Sequence, residues 1–125
     1  MNLVIGGAYQ GKLDFARDAF GHDKKVFICT PETDRPDEAA DIISAFHLLV
    51  LSLLRRGTDP CRWLENEMRG FAGKTILCDD ISCGVVPVDA EARAWREAAG
   101  RCLGMLARNA DTVTRVFCGI GTRLK

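Results

Sequence analysis

The sequence has no surplus of either charge: Lys plus Arg number 17 and Asp plus Glu number 17, a formal net charge of zero. A nucleic-acid binder gains affinity by releasing phosphate counterions with a basic surplus, so DNA or RNA is not expected as a main partner. Long apolar runs are missing as well. The longest, between Asp41 and Arg55, already contains Ser44, His47 and Ser52, whereas a bilayer span needs about 20 apolar residues. The first residues, MNLVIGGAYQGK, show no basic segment leading into a signal-length apolar core, so a cytoplasmic location is the expectation. No Cys-x-x-Cys pair occurs. Cys29, Cys61, Cys78, Cys83, Cys102 and Cys118 are scattered, and only Cys78 and Cys83 are close. Zinc sites pair their ligands at short spacing, so these cysteines read as reduced thiols that pack like small apolar residues. Only two histidines, His22 and His47, are available for acid–base work.

What is present is an ordinary globular balance, 47% apolar and 27% charged, over 125 residues, which sets the expectation of a single domain over residues 1–125. Short apolar runs alternate with helical patterns. Residues 2–5 read as a strand closed by Gly6-Gly7. A helix is expected over residues 12–20, with Phe15, Ala16 and Ala19 on one face and Gly21 as its stop. Residues 25–29 (KVFIC) are strand-like, Ile42-Ile43 makes a short strand, and Ser44 is the expected N-cap of a helix over 45–56 ended by Gly57. Asp59-Pro60 opens another helix, with Cys61, Leu64, Met68 and Phe71 recurring at helical spacing. Residues 75–78 (TILC) form a strand, Asp89 caps a long helix to about Asn109, and residues 113–118 form the final strand. Strands separated by helices imply a three-layer α/β fold with a mainly parallel sheet, which the G-x-x-x-x-G-K pattern of residues 6–12 makes P-loop NTPase-like. Ligands of such sheets lie at the carboxyl ends of the strands, where Gly6-Gly7, Thr30, Ser44, Asp79-Asp80 and Gly119 would fall.

The most informative segment is Gly6-Gly7-Ala8-Tyr9-Gln10-Gly11-Lys12-Leu13. It fits G-x-x-x-x-G-K, follows a strand and opens a helix, the context that motif needs. Glycines let successive backbone N–H groups point inward around phosphates, helped by the positive end of the helix, and Lys12 would neutralise terminal phosphate charge. The plain alternative is a glycine-rich turn. Leu13 stands where the pattern requires Ser or Thr, whose hydroxyl ligates Mg²⁺. GTP or ATP binding can survive that loss, because the backbone supplies most donors; Mg²⁺ placement and phosphoryl transfer should suffer.

Asp79 and Asp80 end a strand beside that loop. They either hold Mg²⁺ or orient a nucleophile, or are the polar residues of a turn. His22 sits in an exposed turn. His47 lies in the first turn of a helix that should face the loop, where it touches phosphate, accepts a nucleotidyl group, or is simply tolerated at a helix start. Arg93, Arg96, Gly100 and Gly104 share one side of the long helix, opposite the stripe of Trp95, Ala98, Ala99, Cys102 and Leu106. That side is either a solvated basic face or a contact for nucleotide, substrate or another subunit.

These segments together resemble the bifunctional adenosylcobinamide kinase / adenosylcobinamide-phosphate guanylyltransferase family of cobalamin biosynthesis. Leu3-Val4-Ile5-Gly6-Gly7-Ala8 with Gly11-Lys12 looks like its L-V-x-G-G-A-R-S-G-K-S. Gly84-Val85-Val86-Pro87, then Ala92-Arg93-Ala94-Trp95-Arg96-Glu97 with Gly100, then Gly119-Ile120-Gly121 to Lys125 are similar in order and spacing to its GIVP, AR-x-F-R-D-x-x-G and SGIG-x-K-x-K segments. Residues 42–54 look like its central strand and helix. The resemblance implies a cobinamide as substrate, Arg93, Arg96 and Gly100 as substrate or subunit contacts, and a homo-oligomer.

The departures fall on catalytic positions. In the family, a helical segment after the second strand carries the histidine that accepts the nucleotidyl group; here only residues 30–41 join those strands, and they contain no histidine. A parallel crossover usually takes a dozen or more residues, which leaves little room for a helix. The acidic residue of the central strand falls on Ser44, the family's Asn-Gln pair falls on Leu103 and Gly104, and Asp79-Asp80 replaces Asn-Glu. The reading that results is a shortened, degenerate nucleotide-binding member without guanylyltransferase activity and with kinase activity impaired or lost. Two alternatives stand beside it: an active cobinamide kinase in which Lys12 and Asp79 or Asp80 suffice, and a non-catalytic regulatory or partner subunit.

Overall fold

The computed structural model describes residues 1–125, with strands β1 (Asn2–Gly6), β2 (Val26–Ile28), β3 (Ile42–Ser44), β4 (Thr75–Asp79), β5 (Thr112–Phe117) and β6 (Ile120–Arg123) in one sheet. The helices are α1 (Lys12–Phe20), α2 (Phe46–Arg55), α3 (Pro60–Glu67) and α4 (Ala90–Asn109), and a 3-10 turn, Met68–Phe71, continues α3. The strand order is β2-β3-β4-β1-β5-β6, with parallel pairing throughout except for the antiparallel β5–β6 pair. This is a three-layer α/β fold. β1 lies at the centre because its Leu3 and Val4 are buried on opposite faces.

Alternation along the strands divides the core in two. Leu3, Ile43, Ile76, Cys78 and Val113 face a cluster of 18 buried residues shared with α2, α3 and α4. Val4, Ile42, Leu77 and Val116 face a smaller cluster of five completed by Ala16 of α1, with Leu13, Phe15 and Phe20 packed against it. One helix therefore covers one face and three cover the other. α2 is apolar on nearly every side, with Phe46, Leu49, Val50 and Leu53 fully buried, as expected for a helix sandwiched between a sheet and other helices.

The expected caps hold at two helices: the Asp59 carboxylate accepts from the Cys61 and Arg62 amides, and Asp89 accepts from Ala92. Ser44 is not a cap. It is the last residue of β3, and the chain turns into α2 through Ala45, held at φ 56 with no side-chain cap. That left-handed conformation costs an alanine about 1–2 kcal/mol. Ala19 is exposed rather than part of the α1 face, because Ala16 alone reaches the sheet and Phe15 and Phe20 flank it. Residues 113–118 are followed by a further strand: Cys118 (φ 50) and Gly119 (φ 75) form a two-residue turn of the kind that suits a hairpin's twist.

The β2–β3 crossover, residues 29–41, contains no helix. It is fastened from both sides. The buried Ser52 hydroxyl donates to the Thr33 carbonyl at 2.7 Å, and Lys74 Nζ donates to the Glu38 and Ala40 carbonyls at 2.7 and 2.5 Å.

Candidate functional site

Residues 7–11 leave β1 and enter α1 at the carboxyl edge of the sheet. Tyr9 (φ 57) and Gly11 (φ 85) both take the left-handed conformation, which bends the loop back on itself. Gln10 fixes the bend: its carbonyl accepts from the Gly119 amide and its Oε1 from the Cys118 amide, both at 2.8 Å, so the β5–β6 turn braces the loop. A Cβ on Gly6 would collide with the Val116 carbonyl oxygen, which is why β1 can end this close to β5 only with glycine. With the loop so held, the backbone N–H groups of Gly7, Ala8, Tyr9, Gln10 and Gly11 donate to no acceptor within the chain. Successive free main-chain donors beside a helix N-terminus are the groups that bind an anion elsewhere.

Lys12 follows these donors in the sequence. Its Nζ lies 2.6 Å from the Gly7 carbonyl, 3.4 Å from the Gly6 carbonyl and 2.6 Å from Asp79 Oδ1, with the side chain only 10% exposed. Leu13 packs against the Val4–Leu77 cluster and borders the groove without filling it. The groove holds about 280 Å³ and runs from Tyr9 and Lys12 to Ser44, His47 and Asp79.

His47, in the first turn of α2, is brought into this groove. Its Nδ1 accepts the Asp79 backbone N–H at 3.3 Å, so the ring proton belongs on Nε2, which lies 3.7 Å from Asp79 Oδ2. Burial pushes its pKa below the ordinary histidine value; Asp79 opposes that shift and Lys12 adds to it. The residue that positions it was assigned no role in the sequence: Trp95 of α4 stacks on the imidazole and donates Nε1–H to the His47 carbonyl at 2.7 Å. Its place on a core-like stripe masked the one polar atom it carries.

Asp79 and Asp80 diverge. Successive side chains at a strand end point to opposite sides, and Asp80 borders a separate hollow of about 180 Å³ with Cys83 and Arg115. There it accepts from the Ser82 hydroxyl at 2.5 Å and from the Cys83 thiol at 3.0 Å. Burial alone would raise the Asp80 pKa, but these hydrogen bonds outweigh it and hold the carboxyl below its usual value. Asp79 and Asp80 therefore do not form one carboxylate pair. Leu13 offers no oxygen, the one carboxylate of the groove that reaches Lys12 is already ion-paired, and no group of three His, Cys, Asp or Glu side chains converges anywhere in the chain.

Arg93, Arg96 and Gly100 serve the chain's own 82–88 loop. Arg96 Nε donates to the Ser82 carbonyl at 2.9 Å and its Nη2 to the Gly84 carbonyl at 2.8 Å, and Arg93 Nη1 reaches the Pro87 and Val88 carbonyls. A Cβ on Gly100 would sit 3.4 Å from Ser82 Cβ, so this turn of α4 comes as near the loop as a side chain permits. For Arg96 the plain solvated face is thus corrected, because two backbone carbonyls hold its guanidinium. His22 is exposed, as expected, 2.7 Å from Asp18.

No helix is long and apolar enough to cross a membrane. No curated protein matches the chain. A family model described as cobinamide kinase / cobinamide phosphate guanyltransferase matches residues 54–124, more than half of the sequence, from the end of α2 through Asp79, the arginine-clamped loop and the β5–β6 hairpin. The glycine loop lies outside that match and stands on its own geometry. With the α/β sheet, the 82–88 loop and the terminal hairpin all in place, the chain belongs to the cobinamide kinase / cobinamide phosphate guanyltransferase family.

Proposed function

We propose that this chain is a nucleotide-binding member of its family that receives the polyphosphate of GTP or ATP on residues 6–13, does not carry out guanylyl transfer, and has kinase activity impaired or lost. One observation carries the reading: five consecutive amides with no acceptor in the chain precede Lys12, in a loop braced from behind by Gln10. Oriented main-chain donors bind phosphate without a side-chain contribution, so the loss of a hydroxyl at Leu13 leaves the cradle intact. Transfer chemistry depends on more. Phosphoryl transfer is largely positioning and charge neutralisation by metal, and Leu13 brings no hydroxyl to the position where the pattern has a metal ligand. The absence of guanylyl transfer is supported by the helix-free, histidine-free 29–41 crossover. A cobinamide as second ligand follows from the family alone.

Self-association belongs to the same reading. Val85, Val88, Phe117 and Ile120 are each more than half exposed, apolar surface of the kind a neighbouring copy would cover.

Calorimetric titration of GTP into the wild type and Lys12→Ala tests the cradle. Saturable binding by the wild type, weakened at least tenfold in Lys12→Ala, is expected; equal binding by both, or none by either, contradicts it. Transfer of labelled γ-phosphate to cobinamide, rapid and Mg²⁺-dependent, would instead establish an active kinase.

A further inference from the structure

The groove already contains an anion, and it belongs to the chain. The Asp79 carboxylate is 22% exposed and lies between Lys12 and His47: Oδ1 is 2.6 Å from Lys12 Nζ, and Oδ2 is 3.7 Å from His47 Nε2. A phosphoryl oxygen seated in the loop would seek the same ammonium. Two anions cannot share one cation at contact distance in a partly buried site without strong repulsion. Asp14 borders the groove as well, and Lys12 is its only lysine or arginine; Arg115 lines the separate hollow with Asp80, on the Gly6–Gly7 side of the loop.

We propose that Asp79 is the affinity-setting residue of this site, an internal counter-ion that a phosphate ligand must displace from Lys12. The inference rests on the anion-cradle reading above. Displacement has a defined course in the geometry. Lys12 is also held by the Gly7 and Gly6 carbonyls, so the ammonium stays in the loop when the carboxylate leaves. His47 Nε2–H, kept in place by the Trp95 stack and by its Nδ1 bond to the Asp79 amide, stands beside Oδ2 to receive the departing carboxylate. The ligand class is a multiply charged phosphate, which brings enough negative charge to outcompete one carboxylate; a monoanion does not. Substitution of Asp79 by a neutral side chain should therefore strengthen binding, the reverse of what removal of a ligand contact does.

The test is calorimetric titration of GTP and of inorganic pyrophosphate, in EDTA, into the wild type, Asp79→Asn, Asp79→Ala and Asp79→Asn/Lys12→Ala, with folding of each checked by circular dichroism. Both single variants are expected to bind each ligand at least tenfold more tightly than the wild type, and the double variant to lose that gain. Equal or weaker binding by folded Asp79→Asn and Asp79→Ala, with the wild type still binding, overturns the counter-ion while leaving the cradle standing. If no protein binds either ligand, the cradle reading falls and this inference falls with it.

Discussion

Trp95 and His47 meet face to face, with ring centroids 6.0 Å apart and planes inclined by 27°, and the indole N–H donates to the carbonyl oxygen of the histidine it covers. This contact joins α4, the longest helix, to the first turn of α2 beside the groove. Trp95→Phe keeps a ring over the imidazole and deletes the donor, so it should cost about 1 kcal/mol. Trp95→Ala removes the packing as well and should cost about 3 kcal/mol. Urea unfolding at 25 °C measures both; an alanine variant as stable as the phenylalanine one would mean the stack contributes nothing.

Burial of His47 has a consequence for stability against pH. The unfolded imidazole takes up a proton near pH 6.5, while the folded one resists because burial depresses its pKa. The unfolded state therefore binds more protons in that range, and stability rises with pH. The contribution is complete above about pH 6.5 and is lost as pH falls from there through the folded pKa. His47→Gln should flatten the difference between urea midpoints at pH 5.5 and pH 7.5; an unchanged difference would show that His47 is not the group responsible.

Two glycine substitutions should separate collision from backbone strain. Gly6→Ala drives its methyl into the Val116 carbonyl of the neighbouring strand, where nothing flexible can yield. A loss of about 3 kcal/mol is expected. Gly57→Ala has open space but a φ of +74, and should lose only about 1 kcal/mol. Thermal unfolding followed by circular dichroism gives the order directly; equal losses would contradict the close β1–β5 approach.

Much of this architecture is legible in the residues, because short continuous apolar runs such as TILC and the Asp59 and Asp89 caps carry strong local signals. What escaped has physical reasons. β6 is four residues of mixed polarity, and it exists because Cys118 and Gly119 make a tight turn. Ser44 looks like a cap, but a left-handed Ala45 makes the turn into the helix one residue later. The adjacent Asp79 and Asp80 read either as a Mg²⁺ or nucleophile-orienting pair or as a polar turn, and adjacency in sequence does not show that the strand's own alternation sends them to different hollows. The arginines of α4 show in the sequence, but the carbonyls they hold belong to the 82–88 loop, which no periodicity predicts.

Five of the six thiols should divide by environment. Burial pushes the Cys29 thiol up to about 12 and raises Cys78 and Cys102 as well. These should resist alkylation at pH 8, because the thiolate is the nucleophile. Cys83 and Cys118 are exposed, and the hydrogen bond to Asp80 raises the Cys83 pKa. Iodoacetamide labelling followed by mass spectrometry should therefore modify Cys118 before Cys83, and Asp80→Asn should accelerate Cys83. Fast labelling of Cys29 or Cys78 would contradict the buried core described above.

The central claim concerns the amides at the mouth of α1, and their own resonances report on it. In a ¹⁵N-labelled sample titrated with GTP, the amide signals of Gly7, Ala8, Tyr9, Gln10 and Gly11 should move first, saturably and furthest, because these donors have no other acceptor in the chain. Saturating shifts confined to other segments, with these five unmoved, would contradict the phosphate cradle.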